Sequence, residues 1–500
     1  METWTACSAD RRQVHLINRG RVIDVFFQNR VVARLIEGLS GGGTLGYVPE
    51  IARGLPDRYL ISVSLPVREK SWTEDQSRPF LTGLLPEGRV REALVRRLQI
   101  GDNDDFGLLS AIGVECAGAL SFVPLDRSDD FRAGRLAGVD WKTDAEVTRM
   151  IADLPAHPLL FDEAGEIRIS LAGVQEKTAV VIDGDGRVGL PRGGTPSTHI
   201  LKPPVLGADG RPRYPGIVEN EAFCLLLAQA VGLPAARVSI RQIGENNVLV
   251  VERYDRELDE QGVAHRVHQE DLCQAMGIPP GRKYEHDGGP GAVDTVRLLR
   301  HVSRQPAVDI PDFLDRLALG LLVGNGDAHG KNTALLLEAE GIRLAPIYDV
   351  VSTVVYPQMS GNLAMRVSNQ YQADQVTPRH WLELLQLCDI DSAAQRQRLA
   401  DLAVRLLDSM SATKQQLIDM GFDHDVLAGI ERNALTRSTA ITGLPAYAAQ
   451  QRRGRQRRSV MDEEVRCEGV LDDGTVCNRL LWDQTSRERR QGWCCYGSGR

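Results

Sequence analysis

Between residues 321 and 337 the chain reads LLVGNGDAHGKNTALLL. Two apolar runs flank a polar centre that holds Asp327, His329, Lys331 and Asn332. Phosphoryl transfer asks for such residue types. It needs a carboxylate aimed at the incoming hydroxyl, a metal carried by a second acid and an amide oxygen, and a cation on the phosphates. Asp327 is the candidate for the hydroxyl proton. Asn332, five residues on, is the candidate amide oxygen, and this D-x-x-x-x-N spacing matches a kinase catalytic loop. The second acid follows at Asp349 in PIYDV, after a strand-like pair. Asp plus Asn is a hard oxygen set, which suits Mg2+. Lys202, at the end of the short strand STHILKPP, is the candidate phosphate cation. Upstream, LAGVQEK carries a single glycine, Gly173, between two β-like runs, so it is not a Walker A loop. VVERYDR offers Glu252, Arg253 and Tyr254 where an adenine hinge should stand. Taken alone, each feature has a plainer reading. D-x-x-x-x-N is also a polar turn between helix and strand, His329 a structural histidine, and Lys202 a solvated strand end. Their order along the chain favours the kinase reading.

The surrounding elements must hold these groups. Short β-like runs, RVIDVFF, RVVARLI, YLISVSLPV and GALSFVPL, fill the first ~130 residues, with a helix expected over about 87–98. Residues 138–160 read as helical and linking. From 165 to 260 the pattern is strand, glycine turn, strand, helix, strand. ENEAFCLLLAQAVGLP is an apolar helix stopped at Gly232 and Pro234. PDFLDRLALGLLV is the helix that delivers the polar loop, and TALLLEAEGIRLAPIYDV is a hairpin-like pair of strands after it. Residues 378–445 read as helices that bury one face.

The 500 residues, 42% hydrophobic, suffice for several lobes around a large core. A net charge of −8 argues against a molecule built as a whole for nucleic acid. Nine cysteines make no disulfide framework. Cys116, Cys224, Cys273 and Cys388 sit singly in apolar contexts and read as buried thiols of a reducing, cytoplasmic compartment. No signal peptide or membrane span is expected.

Many stretches in order resemble the HipA-type serine/threonine kinase toxins of type II toxin–antitoxin systems. They are FLTGLLPEGRVREAL, FGLLSAIGVECAGALSF, RISLAGVQEKTAVV, STHILKPP, NEAFCLLLAQAVGL, VVERYDR, HQEDLCQAMGIPPGRKYEHDGGPG, GDAHGKN and PIYDV. The resemblance runs from about residue 18 to about 440. It implies an α+β chain with a two-lobed protein-kinase-like fold, a small β-rich N-terminal subdomain and an all-helical C-terminal lobe. The implied divisions are 15–130 for the β-rich subdomain, 138–260 for the N-lobe-like region, 261–445 for the C-lobe-like region and 446–500 for a tail. It also implies ATP and Mg2+ as cofactors and Asp327 as catalytic base. Asn332 and Asp349 would bind Mg2+, and Lys202 the nucleotide phosphates. Ala172, Gly173, Val174, Gln175, Glu176 and Lys177 would form the phosphate loop. Glu252, Arg253 and Tyr254 would form the hinge, with Gln269 nearby. His329, Gly330, Lys331 and Tyr348 would line the nucleotide site. Ser170 matches the serine the family autophosphorylates. A phosphate there adds nearly two negative charges at the edge of an anion-binding loop. The implied partners are a helix-turn-helix, HipB-like antitoxin, operator DNA mainly through that antitoxin, and a protein substrate in translation such as an aminoacyl-tRNA synthetase; no membrane is implied.

Residues 446–500 extend beyond the resemblance. QQRRGRQRRS reads as a solvated linker or as a grip on a phosphate backbone. Cys467, Cys477, Cys494 and Cys495 approximate an all-thiolate zinc set with poor spacing, against the reading of a loosely folded tail. Two rival functions stay open. One is a small-molecule phosphotransferase with an acidic pocket for a cationic substrate. The other is a non-catalytic pseudokinase acting through its antitoxin.

Overall fold

The β-branched and aromatic run VIDVFF forms the central strand of the N-terminal sheet in this computed structural model, which describes residues 21–154, 177–207 and 209–442. The subdomain contains β1 (Val22–Phe27), β2 (Arg30–Glu37), β3 (Gly43–Tyr47), α1 (Pro49–Gly54), α2 (Glu74–Gly83), α3 (Gly88–Leu98), α4 (Asp105–Ile112), β4 (Leu120–Pro124) and α5 (Ser128–Arg132). The sheet order is β3–β2–β1–β4, antiparallel throughout. Ile23, Leu35, Phe80, Phe106 and Phe122 bury its inner face.

YLISVSLPV does not form the expected strand. Its Ile61, Leu65 and Val67 are buried, but the backbone turns back on itself, with Leu65 N donating to Ser62 O and Val67 N to Arg58 O. The alternation of apolar and polar residues is real, but the polar positions face the next domain instead of solvent. Val63 N donates to Glu270 Oε1 (2.8 Å), and Ser64 Oγ to Gln274 O (2.7 Å).

The second sheet comprises β5 (Gly138–Trp141), then, after α6 (Asp144–Asp153), β6 (Thr178–Ile182), β7 (Val188–Arg192) and β8 (His199–Lys202). After α7 (Ile217–Ala230) come β9 (Val238–Ile243) and β10 (Asn246–Glu252). Among the described residues its order is β5–β7–β6–β8–β10–β9. Residues 138–160 were expected to be helical, yet β5 comes first and pairs with β7. Four half-exposed residues are too few to show a period. Helix α6 then starts where Thr143 and Glu146 cap each other reciprocally.

Two short strands, β11 (Arg256–Leu258) and β12 (Ala264–Arg266), lead into β13 (His268–Asp271) and α8 (Leu272–Ala275). The C-terminal part continues with α9 (Ala292–Val302), α10 (Pro306–Val323), β14 (Ala334–Glu338), β15 (Gly341–Leu344), β16 (Asn362–Val367), β17 (Gln370–Gln372), α11 (Pro378–Leu387), α12 (Ser392–Asp419) and α13 (Asp425–Thr442). It is helical in bulk, as expected, but not all-helical. It also contains the sheet β13–β14–β15 and the hairpin β16–β17. The core joins α7, α10, α12 and α13 through Phe223, Leu314, Leu322, Leu402, Leu406 and Ile430. Each such side chain taken fully out of water contributes about 2 kcal/mol. The four described cysteines are buried, as expected.

The N-terminal subdomain is joined to the rest through buried polar groups. Glu115 is surrounded by Arg253, Arg256 and Arg266. Burial opposes its charge, but the three guanidinium groups override it and hold the carboxyl down at about 2. Among the described residues Glu270 has no such cation. Burial pushes it up to about 8, and its oxygens meet Val63 N and Ser62 Oγ. Its folded pKa therefore lies above the unfolded value of about 4.3. The stability it contributes is fully present below that value and is lost as pH rises through about 8. Glu270→Gln stays neutral and keeps the same shape. In urea unfolding between about pH 5 and about pH 9, the wild type should lose stability relative to this variant. Parallel curves for the two proteins would rule out Glu270 as the source.

Candidate active site

Helix α10 buries its last turn, Leu321, Leu322 and Val323, and stops at Gly324. Gly324 has φ 78°, a left-handed conformation that favours glycine at a helix end. The chain then runs as a polar loop to β14, whose Ala334 and Leu335 are buried again. So the sandwiching of polar residues between apolar runs gives a loop held rigidly at both ends. Within it, Asp327 N donates to Asn325 Oδ1 (3.0 Å) and Gly326 N to Thr353 Oγ1 (2.8 Å). Asn332 Nδ2 donates to Asp327 O (2.9 Å), which leaves Asn332 Oδ1 as an acceptor. Tyr284 Oη donates to Asp327 Oδ1 (2.8 Å). Burial raises the Asp327 pKa and Asp349 adds to this, against the Tyr284 hydrogen bond and Lys283.

Asp349 has φ 57°, uncommon for a residue with a side chain. Backbone strain of this kind costs about 1–3 kcal/mol and clusters at functional sites. Lys202 Nζ stands 2.7 Å from Asp349 Oδ1 and 2.7 Å from Glu221 Oε1 of α7. Burial alone would lower the Lys202 pKa, but the two carboxylates together raise it. Burial likewise works against the Asp349 charge, and Lys202 with Lys177 overrides it, holding this carboxyl well below its usual range. Lys177 is pushed down to about 8 by burial and by Lys202.

The expected hinge ends β10, whose Leu249 lies opposite Lys202 on β8. Glu252 is exposed there. Tyr254 and Tyr348 stack with ring centroids 5.5 Å apart. Tyr254 Oη donates to Gln269 Oε1, and Tyr348 Oη to Lys331 O (2.6 Å). Two side chains that line the cleft also carry structural contacts. The Arg253 guanidinium is 2% exposed and engaged with Asp255, Ser197 and Glu115, so any hinge role falls to its backbone. The Lys331 ammonium is spent on Asp271 Oδ2 (3.0 Å) and Gly83 O (3.0 Å) and braces the loop against the N-terminal subdomain. His329 is buried and neutral, pushed down to about 3 by burial and by Lys283. Its Nδ1 has no hydrogen-bond partner among the described residues. Ser170 and Ala172, Gly173, Val174, Gln175 and Glu176 lie outside the described residues, as do Cys467, Cys477, Cys494 and Cys495.

One cleft of about 1380 Å3 is lined by Lys177, Lys202, Glu252, Tyr254, Asp327 and Asn332, with Asp349 and His329 in the same wall. The donor set fits a nucleotide with Mg2+. An ionised carboxylate and an amide oxygen suit an ion that keeps waters and takes its other ligands from phosphates. Among the described residues no cluster of three or more His, Cys, Asp or Glu forms an all-protein cage. Lys202 and Lys177 offer cations, and the orphaned His329 Nδ1 offers a polar contact. Sequence reasoning missed Glu221, Tyr284, Lys283 and Glu87. Glu221 had a signal, one of two acids, with Glu219, near the start of a largely apolar helix.

Two family models match, the HipA N-terminal domain over residues 23–123 and the HipA-like C-terminal domain over residues 169–414. The serine/threonine-protein kinase toxin HipA of Shewanella oneidensis is 32% identical over 331 residues, covering 64% of this chain and 72% of that protein. The chain belongs to the HipA family. A Sinorhizobium fredii protein provisionally named a kinase, Y4mE, is 37% identical over 81% of this chain and 94% of its own length. A chain of the solved complex of HipA, HipB and operator DNA from Shewanella oneidensis MR-1 matches with a TM-score of 0.71 and 25% identity. The match covers 84% of this chain and 98% of that one and carries the HipA kinase-like fold across both lobes.

For this HipA-family chain, Lys202→Met removes the cation between Glu221 and Asp349. An uncompensated buried carboxylate should then destabilise the fold by about 3 kcal/mol, read as a lower urea midpoint. An unchanged midpoint would mean that Lys202 does not hold these two groups together.

Proposed function

We propose that this chain is an ATP- and Mg2+-dependent serine/threonine protein kinase and the toxin of a toxin–antitoxin pair. One observation carries the reading. Asp349, kept ionised by Lys202, shares a cleft with the loop that pins Asp327 and Asn332. Asp349 and Asn332 would hold Mg2+, and Lys202 and Lys177 would meet the phosphates. Bound there, Mg2+ would neutralise charge on the transferring phosphoryl group. Asp327 takes the proton of an acceptor hydroxyl while that oxygen bonds to the γ-phosphorus, and the bond to the β-phosphate oxygen breaks. The products are a phosphoserine or phosphothreonine and ADP.

The acceptor is a protein in this reading. The cleft, about 1380 Å3, has room for a nucleotide beside part of a protein acceptor. Its wall mixes Arg89, Arg96, Arg213 and Lys283 with Glu87, Glu92 and Asp287, so its charge does not single out the cationic substrate of a small-molecule phosphotransferase. The presence of Asp327, Lys202 and Asp349 weighs against a pseudokinase. By family likeness, the substrate is a translation protein such as an aminoacyl-tRNA synthetase. The chain is neutralised by a helix-turn-helix antitoxin on its N-terminal subdomain and reaches operator DNA through it. Autophosphorylation at Ser170 shuts it off. Among the described residues no helix is long and apolar enough to cross a membrane.

Protein that starts unphosphorylated should gain one phosphate on incubation with Mg-ATP, read by intact mass and mapped to Ser170. Asp327→Asn should gain none. A gain in both proteins would remove Asp327 from the chemistry. No gain in either would move the reading toward the small-molecule enzyme or the pseudokinase.

A further inference from the structure

The stretch RKYEHDGGPG, residues 282–291, has no part in the chemistry above, yet it lies against the catalytic loop. Its chain folds back sharply. Asp287 N (3.0 Å) and Gly289 N (2.9 Å) both donate to Tyr284 O. Gly288 has φ 86°, and a Cβ on Gly289 would stand 2.7 Å from Lys283 C and 2.8 Å from Tyr284 O. Two glycines are therefore required for the fold-back, one for its dihedral angle and one for its closeness.

The fold-back is fastened on three sides. Lys283 O accepts from Gly330 N in the catalytic loop (3.0 Å). Lys283 Nζ pairs with Glu87 of the N-terminal subdomain at 3.4 Å. Glu285 accepts from Arg366 N (2.7 Å) and pairs with Arg366 Nε (2.8 Å). Between these anchors stands Tyr284. Its hydroxyl is 2.8 Å from Asp327 Oδ1, and its ring meets that of His329 edge to face, with centroids 5.2 Å apart.

We infer that Tyr284 is a positioning residue for the base, fixing the rotation of the Asp327 carboxylate so that only Oδ2 is left to receive the acceptor hydroxyl. This rests on the reading of Asp327 as base. A free carboxylate turns about its last bond, and each turn takes the accepting lone pair out of line. A small misplacement of a reacting group costs up to about 100-fold in rate. One oxygen held by a phenol removes that freedom. The loop anchors then matter because they hold the phenol, and Glu87 makes the N-terminal subdomain one of them.

The test uses the full chain and two readouts, the equilibrium affinity for Mg-ATP and the rate of phosphate incorporation by intact mass. Tyr284→Phe keeps the ring and removes the hydrogen bond. Its Mg-ATP affinity should match the wild type, and its incorporation should slow about 10- to 100-fold. A wild-type rate in Tyr284→Phe, with Asp327→Asn inert, would overturn the positioning role and leave the base in place. Weakened Mg-ATP affinity with an unchanged rate would also overturn it, making Tyr284 a wall of the nucleotide site. Incorporation by Asp327→Asn would instead overturn the base reading itself. If Tyr284→Phe does not fold, Glu87→Gln decides. It loosens Lys283, and with it the 3.7 Å pair of Glu87 to Lys331 of the catalytic loop, without touching Tyr284, and should slow incorporation about 2- to 10-fold at unchanged affinity. A wild-type rate there would overturn the role.

Discussion

Lys202 must have its ammonium neutralised inside the protein, where an unpaired charge costs several kcal/mol. Its side chain is 7% exposed, and its two carboxylate partners come from different parts of the chain. Glu221 arrives on α7, and Asp349 arrives after β15. The strand, the helix and the segment after the hairpin must therefore converge at one point. Asn220, next to Glu221, extends the tie. Its Nδ2 donates to Ser352 O (3.0 Å) and its Oδ1 accepts from Ser352 N (2.8 Å). The neighbouring Thr353 hydroxyl then takes the Gly326 amide and so registers the Asp327 loop against Asp349. The positions of the two acids thus follow from the need to bury one lysine well.

A second set of buried charges makes the N-terminal subdomain part of the same framework. Glu115 is a carboxylate from that subdomain, and Arg253 and Arg256 flank the hinge tyrosine. Asp255 closes the cluster and also accepts from Gly118 N (2.7 Å). The hinge backbone is therefore set partly by residues more than a hundred positions upstream. Lys331 repeats the pattern, reaching Gly83 O and Asp271 from within the Asp327 loop. Buried ion pairs of this kind are weak evidence for stability, because desolvation offsets most of the attraction. Their consequence here is geometric, since each group accepts few alternative arrangements.

Much of this was legible from local chemistry. The apolar runs marked β1, β2, β4, α7 and α10 correctly, since each has an interior partner and a clear stop such as Gly232 or Gly324. The order of Lys202, Asp327, Asn332 and Asp349 pointed to one cleft, and the fold brings them there. Contacts between distant segments were not legible. YLISVSLPV alternates like a strand, but its polar positions satisfy Glu270 and Gln274 instead of a ladder. Arg253 stands where a hinge residue should, yet nothing nearby in sequence announces Glu115 as its partner. The tyrosine on Asp327 is forty-three residues away, in a stretch without helical or strand periodicity.

These misses have a common physical origin. Local pattern reports what a segment prefers by itself, and a sequence folds cleanly where local and global preference agree. This chain breaks local rules in a few places. It puts a buried acid near the start of a largely apolar helix at Glu221, a side chain in left-handed backbone at Asp349, and a doubled glycine after Tyr284. Glu221, Asp349 and Tyr284 line the same cleft, and the two glycines close the fold-back that carries Tyr284. Each resolves when read as one half of a long-range contact: Glu221 with Lys202, Asp349 with Lys202, and Tyr284 with Asp327. Departures from local preference are tolerated where something distant over-determines them. At Glu221, Asp349 and Tyr284 that distant partner lies in one cleft, so the cleft is set by contacts that no local pattern carries.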